Sequence, residues 1–181
     1  KLGQVKAKDK VVLKTAGDIT GSAGQTAVIS DSAELTSIAG SIGTAENILK
    51  TDLNSLKAEA ADSLYLDNTV NSGSLELEKV KAGNTAQISA NGITGTAAEG
   101  ENDITAGKID LNAGTGNIGT DERALRVSGP LENAQAGEMI HVSSAKDLEA
   151  GILKADKVKA ESTGNMTIGT VEAAETELVS G

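Results

Sequence analysis

Residues 40–50 read Gly40-Ser41-Ile42-Gly43-Thr44-Ala45-Glu46-Asn47-Ile48-Leu49-Lys50, and residues 116–126 read Gly116-Asn117-Ile118-Gly119-Thr120-Asp121-Glu122-Arg123-Ala124-Leu125-Arg126. The two copies are 76 positions apart and share Gly, Ile, Gly, Thr, Glu and Leu at the same offsets. Shorter copies of the motif occur at 17–21, 91–95 and 164–169. Such self-similarity is typical of repeat proteins, in which each unit buries its apolar face against its neighbours.

Short alternating apolar segments fill the sequence between these copies, and Gly, Asn or Asp separates them. Strands of three to five residues are too short for a free-standing sheet and become stable when coil stacks on coil. The pattern therefore predicts an all-β fold, a parallel β-solenoid of about seven to nine coils, with residues 1–181 forming one shaft segment. The predicted core positions of the repeat are Ile42, Leu49, Ile118, Leu125, Leu35 and Leu111, and the predicted turn positions are Gly40, Gly43, Gly116 and Gly119.

The coil period follows from the positions of the repeated apolar residue. The intervals between successive anchors vary, and the interval between Ile140 and Val158 is shorter than any of them. The anchors are Ile19, Ile42, Val70, Ile93, Ile118, Val142 and Ile168. The sequence thus indicates a period between the high teens and the mid twenties. At about 4.8 Å per coil, the strand-to-strand spacing, the predicted rod is roughly 35–45 Å long.

One stretch also fits a helix. Leu49, Leu53, Leu56, Ala60 and Leu64 recur at spacings of three and four positions, as on the apolar face of an amphipathic helix. Agreement between the two copies of the motif favours strand. Leu49 follows the repeated motif just as Leu125 does, and Leu125 enters a strand-like segment that ends in Gly-Pro. Strand is therefore the prediction, with helix as the alternative.

Composition excludes several function classes. The chain has 38% apolar residues, Tyr65 as its single aromatic residue, no cysteine and a net charge of −10. An acidic surface repels phosphate backbones and anionic lipids, which disfavours nucleic-acid and membrane-surface binding. No apolar run is long enough to predict membrane insertion. The absence of cysteine excludes disulfides and permits either redox compartment.

No arrangement of residues indicates an enzyme. His141 is the only histidine, so neither a Ser-His-Asp triad nor a histidine metal cluster can form, and we expect His141 to be an outward strand residue. Paired carboxylates could act on polysaccharides, but that catalysis would need a groove with aromatic platforms, which one tyrosine does not supply. We predict no catalytic residues and no cofactor. Asn102-Asp103 and Asp67-Asn68 leave calcium binding by loop oxygens as a minor alternative. Stacked Asn, Thr or Ser ladders inside the turns are the favoured interpretation of such residues.

The segments 40–53, 116–127 and 63–68 together resemble the β-helix repeats of filamentous-haemagglutinin-like adhesins, the large exoproteins of two-partner secretion. The resemblance implies a right-handed parallel β-helix and a location outside the cell or on the bacterial surface. It also implies an outer-membrane transporter, and host or bacterial surface ligands, as partners of regions outside this segment. Family members often carry Pro where this chain has Ile48 and Ala124, and the family's N-terminal secretion signature is missing. The segment is therefore expected to belong to a longer chain.

Two functional hypotheses follow. The first is a structural shaft of a large surface or secreted filamentous adhesin. The second is a binding module that engages a receptor, a glycan or copies of itself. Parallel stacks expose unpaired strand edges at both ends, so we expect end-to-end contact with flanking repeats or with other copies.

Overall fold

The computed structural model describes residues 1–181 as nineteen β-strands with no helix. Most strands span four to eight residues, and tight turns join many of them. The strands are β1 Val5–Lys6, β2 Lys10–Thr15, β3 Thr26–Ile29, β4 Ser32–Ser37, β5 Leu49–Asp52, β6 Ser55–Ala60, β7 Leu64–Asp67, β8 Leu75–Ala82, β9 Thr85–Ser89, β10 Ile93–Gly95, β11 Ile104–Thr105, β12 Lys108–Asn112, β13 Leu125–Ser128, β14 Leu131–Gln135, β15 Met139–Ser144, β16 Leu148–Lys154, β17 Lys157–Ser162, β18 Met166–Glu172 and β19 Glu175–Ser180.

Two parallel sheets run the length of the molecule. Sheet A has nine strands in the order β1-β3-β5-β7-β9-β12-β14-β16-β18. Sheet B has ten, in the order β2-β4-β6-β8-β11-β13-β15-β17-β19, with β10 paired to the first half of β8. Because the chain alternates between the sheets and every pairing is parallel, it winds as a β-solenoid of about eight turns. The predicted fold class is confirmed.

The coils have different lengths, and the long loops account for the difference. Leu13 pairs with Leu35 and Val80 pairs with Ile104, and each of these two coils contains a long loop. Ile140 pairs with Val158 across a shorter coil that has no such loop, as the sequence spacing indicated. This mixture of long and short coils explains why no single period fits the sequence.

The long loops change sides along the rod. We call the turn from sheet A to sheet B the first edge and the turn from sheet B to sheet A the second edge. In the N-terminal coils the long loops, 16–25 and 38–48, lie at the second edge. From residue 68 onward the long loops 68–74 and 113–124 lie at the first edge, and the loop 96–103 joins β10 to β11 within sheet B. The last coils are short at both edges.

Apolar side chains stack in columns inside the coils, and one cluster of 40 buried residues fills the whole interior. A bridging residue in each N-terminal long loop starts one column, since Ile19 pairs with Ile42 and Ile42 with Leu64. Leu64 begins β7, so this column continues into sheet A through Ala86 and Ile109. A core formed by columns joins every coil to the next.

The structure decides between the alternatives that the sequence left open. Residues 49–64 form β5, β6 and the start of β7, so the helix alternative is wrong. Val70 is not an anchor of the repeat, because it is 57% exposed in a long loop and Leu64 takes its place opposite Ile42. The anchor that follows Ile118 also differs from the prediction, because Ile118 pairs with Ile140 rather than with Val142.

Candidate functional site

The repeated motif forms the same turn in both copies. Gly43 N–H donates to Ile19 O at 2.8 Å, and Thr44 and Asn47 exchange backbone hydrogen bonds at 3.1 Å. In the second copy Gly119 N–H donates to Ile93 O at 2.8 Å, and Thr120 and Arg123 make the equivalent exchange. In each copy the threonine Oγ1 also accepts a hydrogen bond of 3.0 Å from the backbone N–H of the residue three positions later. The sequence repeat is therefore a repeated local structure.

The four predicted turn glycines act in two ways. Gly43 and Gly119 have φ of +69° and +74°, a left-handed conformation that favours glycine. A Cβ on either would also collide with the carbonyl oxygen of Tyr65 or His141 in the next coil. Gly40 and Gly116 have ordinary φ, but a Cβ there would overlap the coil before it. All four positions therefore depend on close approach between neighbouring coils.

The six predicted core residues are all buried, at 0% exposure for five and 2% for Leu111. Ile42 and Ile118 occupy equivalent bridging positions, as the repeat implied. Leu49 and Leu125 do not, because Leu49 begins a strand of sheet A and Leu125 a strand of sheet B. Leu35 in sheet B and Leu111 in sheet A differ in the same way. The motif thus forms a long turn near the second edge in its first copy and near the first edge in its second copy.

Asn47 in the first copy of the motif reaches into the preceding coil, and so does Arg123 at the same place in the second copy. Asn47 Nδ2 donates to Gly21 O at 2.9 Å, and the Arg123 guanidinium donates to Ala97 O at the same distance. Both contacts span 26 residues. The side chains differ in type, yet each satisfies a carbonyl group of the long loop in the preceding coil.

A buried ion cluster anchors the loop 96–103. The Asp103 side chain is fully buried, and its carboxylate lies 3.0 Å from the Arg123 guanidinium and 3.7 Å from Arg126 Nε. Ala97 and Arg126 also donate their backbone N–H groups to the same carboxylate at 2.9 and 2.8 Å. A buried carboxylate that is paired and hydrogen-bonded in this way fixes the loop against the next coil. The cluster is structural.

Three of the four residues considered for calcium, Asp103, Asp67 and Asn68, make hydrogen bonds or ion pairs within the chain. Asp103 belongs to the cluster just described. Asp67 lies 3.7 Å from Lys50 Nζ and accepts hydrogen bonds from Thr69. Asn68 is fully buried and bonds to Thr51 Oγ1 and to the backbone of Leu53, as expected for amides inside turns. No group of three or more His, Cys, Asp or Glu side chains is placed to hold a metal ion.

His141 lies between the inward residues Ile140 and Val142 of β15, so its side chain starts on the outer face of sheet B. It is nevertheless only 4% exposed, since its ring contacts the repeated turn, with Nδ1 2.6 Å from Thr120 O. Glu161 lies 3.5 Å from Nε2. The Lys159 ammonium and, to a lesser extent, His141 hold the pKa of Glu161 below its ordinary value. His141 is therefore part of the packing between coils.

The outer face of sheet A carries a polar groove of about 430 Å³. Most of its lining side chains are amides and hydroxyls from three successive strands, and Asn133 donates to Asp110 at 2.7 Å. In-register pairing sets these side chains at the strand spacing, about 4.8 Å. The residues that define this polar groove are Gln87, Ser89, Asp110, Asn112, Asn133 and Gln135.

The outer face of sheet B carries charged ladders instead. Lys10, Glu34 and Lys57 form one ladder across three strands, with nitrogen–oxygen distances of 3.0 and 3.4 Å. The two lysines hold the pKa of Glu34 below its ordinary value, and Lys79, 2.8 Å away, does the same for Glu101. These ladders are exposed and resemble the Lys–Glu pairs of an ordinary solvated sheet.

Comparisons with known proteins return no relative: no family model matches the chain, and neither the curated proteins nor the solved structures give a match. No helix in the structure is long and apolar enough to cross a membrane. Sequence reasoning did not find the Asp103 cluster or the polar groove. The groove had an available signal, since the polar residues Gln87, Asp110 and Asn133 recur at one constant interval.

Proposed function

We propose that this chain is a structural shaft, a stiff rod within a large filamentous adhesin at or outside the bacterial surface. The observation that supports it is the continuous core: 40 buried residues form a single cluster from β2 to β17, and partly buried apolar residues of β1 and β18 pack against it. Because each coil packs on the next, bending the rod would require sliding or opening these columns. The resemblance of the repeats to adhesin β-helices supplies the proposed setting.

The proposal predicts a rigid particle about 40 Å long from the strand spacing and the number of turns. Small-angle X-ray scattering on the monomeric fraction would measure this length. Single-molecule pulling from the two ends would measure stiffness, and a shaft should resist force and then yield coil by coil. A globular scattering profile, or extension at negligible force, would contradict a shaft.

The polar groove on sheet A favours a second candidate function, binding of a glycan. Amide and hydroxyl groups are donors and acceptors that match sugar hydroxyls. Their repeat of about 4.8 Å across strands offers an extended chain of sugars equivalent contacts at each step. Under this alternative the rod itself is adhesive.

Glycan-array binding separates the two functions. A shaft should show no saturable binding to any glycan. Saturable binding that is lost in Gln87→Ala with Gln135→Ala would support the binding module. The matched control is Lys108→Ala with Glu132→Ala, which removes an exposed pair on the same sheet (3.6 Å apart) outside the groove.

A further inference from the structure

We propose that the polar groove on sheet A holds a linear, uncharged, β-1,4-linked glycan that runs along the rod axis. The ring of Tyr65 is its stacking platform at the end of the groove nearer the N terminus. This inference rests on the second candidate function described above, binding of a glycan. It specifies the class of sugar chain, its direction on the rod and the residue that fixes one end of it.

Tyr65 stands in register with one side of the polar groove. It alternates with inward leucines in β7, so its side chain starts on the outer face of sheet A. Parallel pairing sets Tyr65 opposite Gln87, and the same column continues through Asp110 to Asn133. The single aromatic residue of the chain therefore borders the amide-rich face of the rod.

The groove runs along the rod axis and not along a strand. Its second side is the column of Ser89, Asn112 and Gln135, which pairs in register across the same three strands. From Tyr65 to Asn133 the first column spans three strand-to-strand steps, about 14 Å in all. An extended β-1,4-linked chain advances by nearly one such step per sugar, so the groove together with Tyr65 matches about four sugars.

The charges around the groove favour an uncharged chain. Asp110 is the one ionisable side chain in its lining, and it already accepts an amide hydrogen bond at 2.7 Å. Beyond the two ends of the second column the charges form ion pairs, at 3.7 Å between Lys50 and Asp67 and at 2.8 Å between Lys154 and Glu172. A lone carboxylate on a chain of net charge −10 repels sulfated or uronic sugars.

The side chains of the groove match the groups of such a sugar chain. Amides and hydroxyls donate and accept hydrogen bonds, as sugar hydroxyls do. The apolar face of a pyranose ring packs on an aromatic ring, which Tyr65 supplies. Ile152, 39% exposed, follows Asn133 in the same column, so an apolar side chain stands at each end and polar ones lie between.

Tyrosine fluorescence tests the platform directly, because Tyr65 is the only aromatic residue and supplies the whole signal. The probes are cello-oligosaccharides and chito-oligosaccharides of increasing length, titrated into the parent chain. We expect a saturable change in intensity, with an affinity that rises up to about four sugars and then levels off. A sulfated cello-oligosaccharide of the same length should bind at least about fivefold more weakly.

The variants of the groove repeat this titration. Gln87→Ala with Gln135→Ala should abolish the fluorescence change, because it removes amides from both columns. Lys108→Ala with Glu132→Ala, the matched control outside the groove, should leave the change as it is in the parent.

Substitution of Tyr65 separates stacking from packing. Tyr65→Phe keeps the ring and should retain the affinity for a tetrasaccharide within about twofold. Tyr65→Leu keeps an apolar side chain without an aromatic face and should weaken that affinity about fivefold. Isothermal titration calorimetry measures both variants, and their melting temperatures show that both are folded.

Several results would overturn this inference and leave glycan binding in place: equal affinity of Tyr65→Leu and the parent, affinity that does not depend on chain length, or stronger binding of the sulfated chain. Saturable binding only to glycans of other linkages would do the same. A tyrosine signal that changes with protein concentration and not with sugar would identify a second copy of the chain as the occupant of this face, and would also overturn it.

Absence of saturable binding to every glycan would remove both this inference and the second candidate function. The proposed shaft is tested separately, because scattering from the monomer measures the length of the rod without any sugar.

Discussion

At the residue scale, stability depends on the direction in which each side chain points. Ile118 is fully buried between Ile93 and Ile140, whereas Ile152 on sheet A faces outward at 39% exposure. The same substitution at the two sites therefore separates the effect of burial from the effect of the change in side-chain type.

We expect Ile118→Asp to lower the free energy of unfolding by on the order of 5 kcal/mol, since it removes apolar contacts and buries a carboxylate without a partner. Ile152→Asp, the matched control, should cost less than about 1 kcal/mol. Urea unfolding followed by circular dichroism measures both. Equal stabilities for the two variants would show that Ile118 is not a core residue.

The glycines with positive φ allow a second test at this scale. Gly24→Ala meets open space at φ +73°, so it should cost only the left-handed strain, about 1 kcal/mol. Gly43→Ala has nearly the same φ and also overlaps the Tyr65 carbonyl group, so its cost should be at least twice as large. Thermal unfolding of both variants gives the comparison, and similar melting temperatures would argue against a close approach at Gly43.

At the element scale, the Asp103 cluster holds the loop 96–103. Asp103→Ala should cost about 3 kcal/mol, because it removes the acceptor of the Ala97 and Arg126 backbone N–H groups, each worth about 1–3 kcal/mol when it is left unsatisfied. Amide hydrogen exchange should then increase in residues 96–103 before it increases in the neighbouring strands. If exchange rose uniformly along the rod, the cluster would not be a local anchor.

The ladder around Glu34 gives the expected pH dependence. Lys10 and Lys57 lower the pKa of Glu34 in the folded chain, so its contribution is present above the ordinary glutamate pKa and is lost as the pH falls through the lowered value. We therefore expect the melting temperature to fall on acidification below about pH 4. The melting temperature of the Glu34→Gln variant should fall less steeply than that of the parent chain over this range. An unchanged slope would indicate that the ladder contributes nothing in solution.

Sequence reasoning recovered elements better than their arrangement. The period-two pattern and the repeated Gly-x-Ile-Gly-Thr motif were sufficient for strands, turns and the inward face of Ile42 and Ile118. The assignment of Leu49 and Leu125 to different sheets was not predictable, because the local turn is the same and only the coils beneath it differ. His141 faces outward, as expected, but it is buried, since a turn from the preceding coil covers it. Contacts between coils are long-range, and a single sequence does not show them.

At the scale of the whole molecule, the structure predicts a chain with no helical signal. Far-ultraviolet circular dichroism should show β-structure and turns alone, and electron microscopy should show rods of uniform width. Helix in a fifth or more of the residues would contradict the solenoid.

The long loops lie at the second edge in the N-terminal coils and at the first edge farther along the chain. The rod therefore has two opposite sides that can be modified separately. Gly24 lies in a loop at the second edge, where a Cβ meets nothing within 4 Å, and Val70, which is 57% exposed, lies in a loop at the first edge. Peptides grafted at these two points would project in opposite directions from one core. A single shaft could therefore carry two grafted peptides, one on each side, that do not obstruct each other.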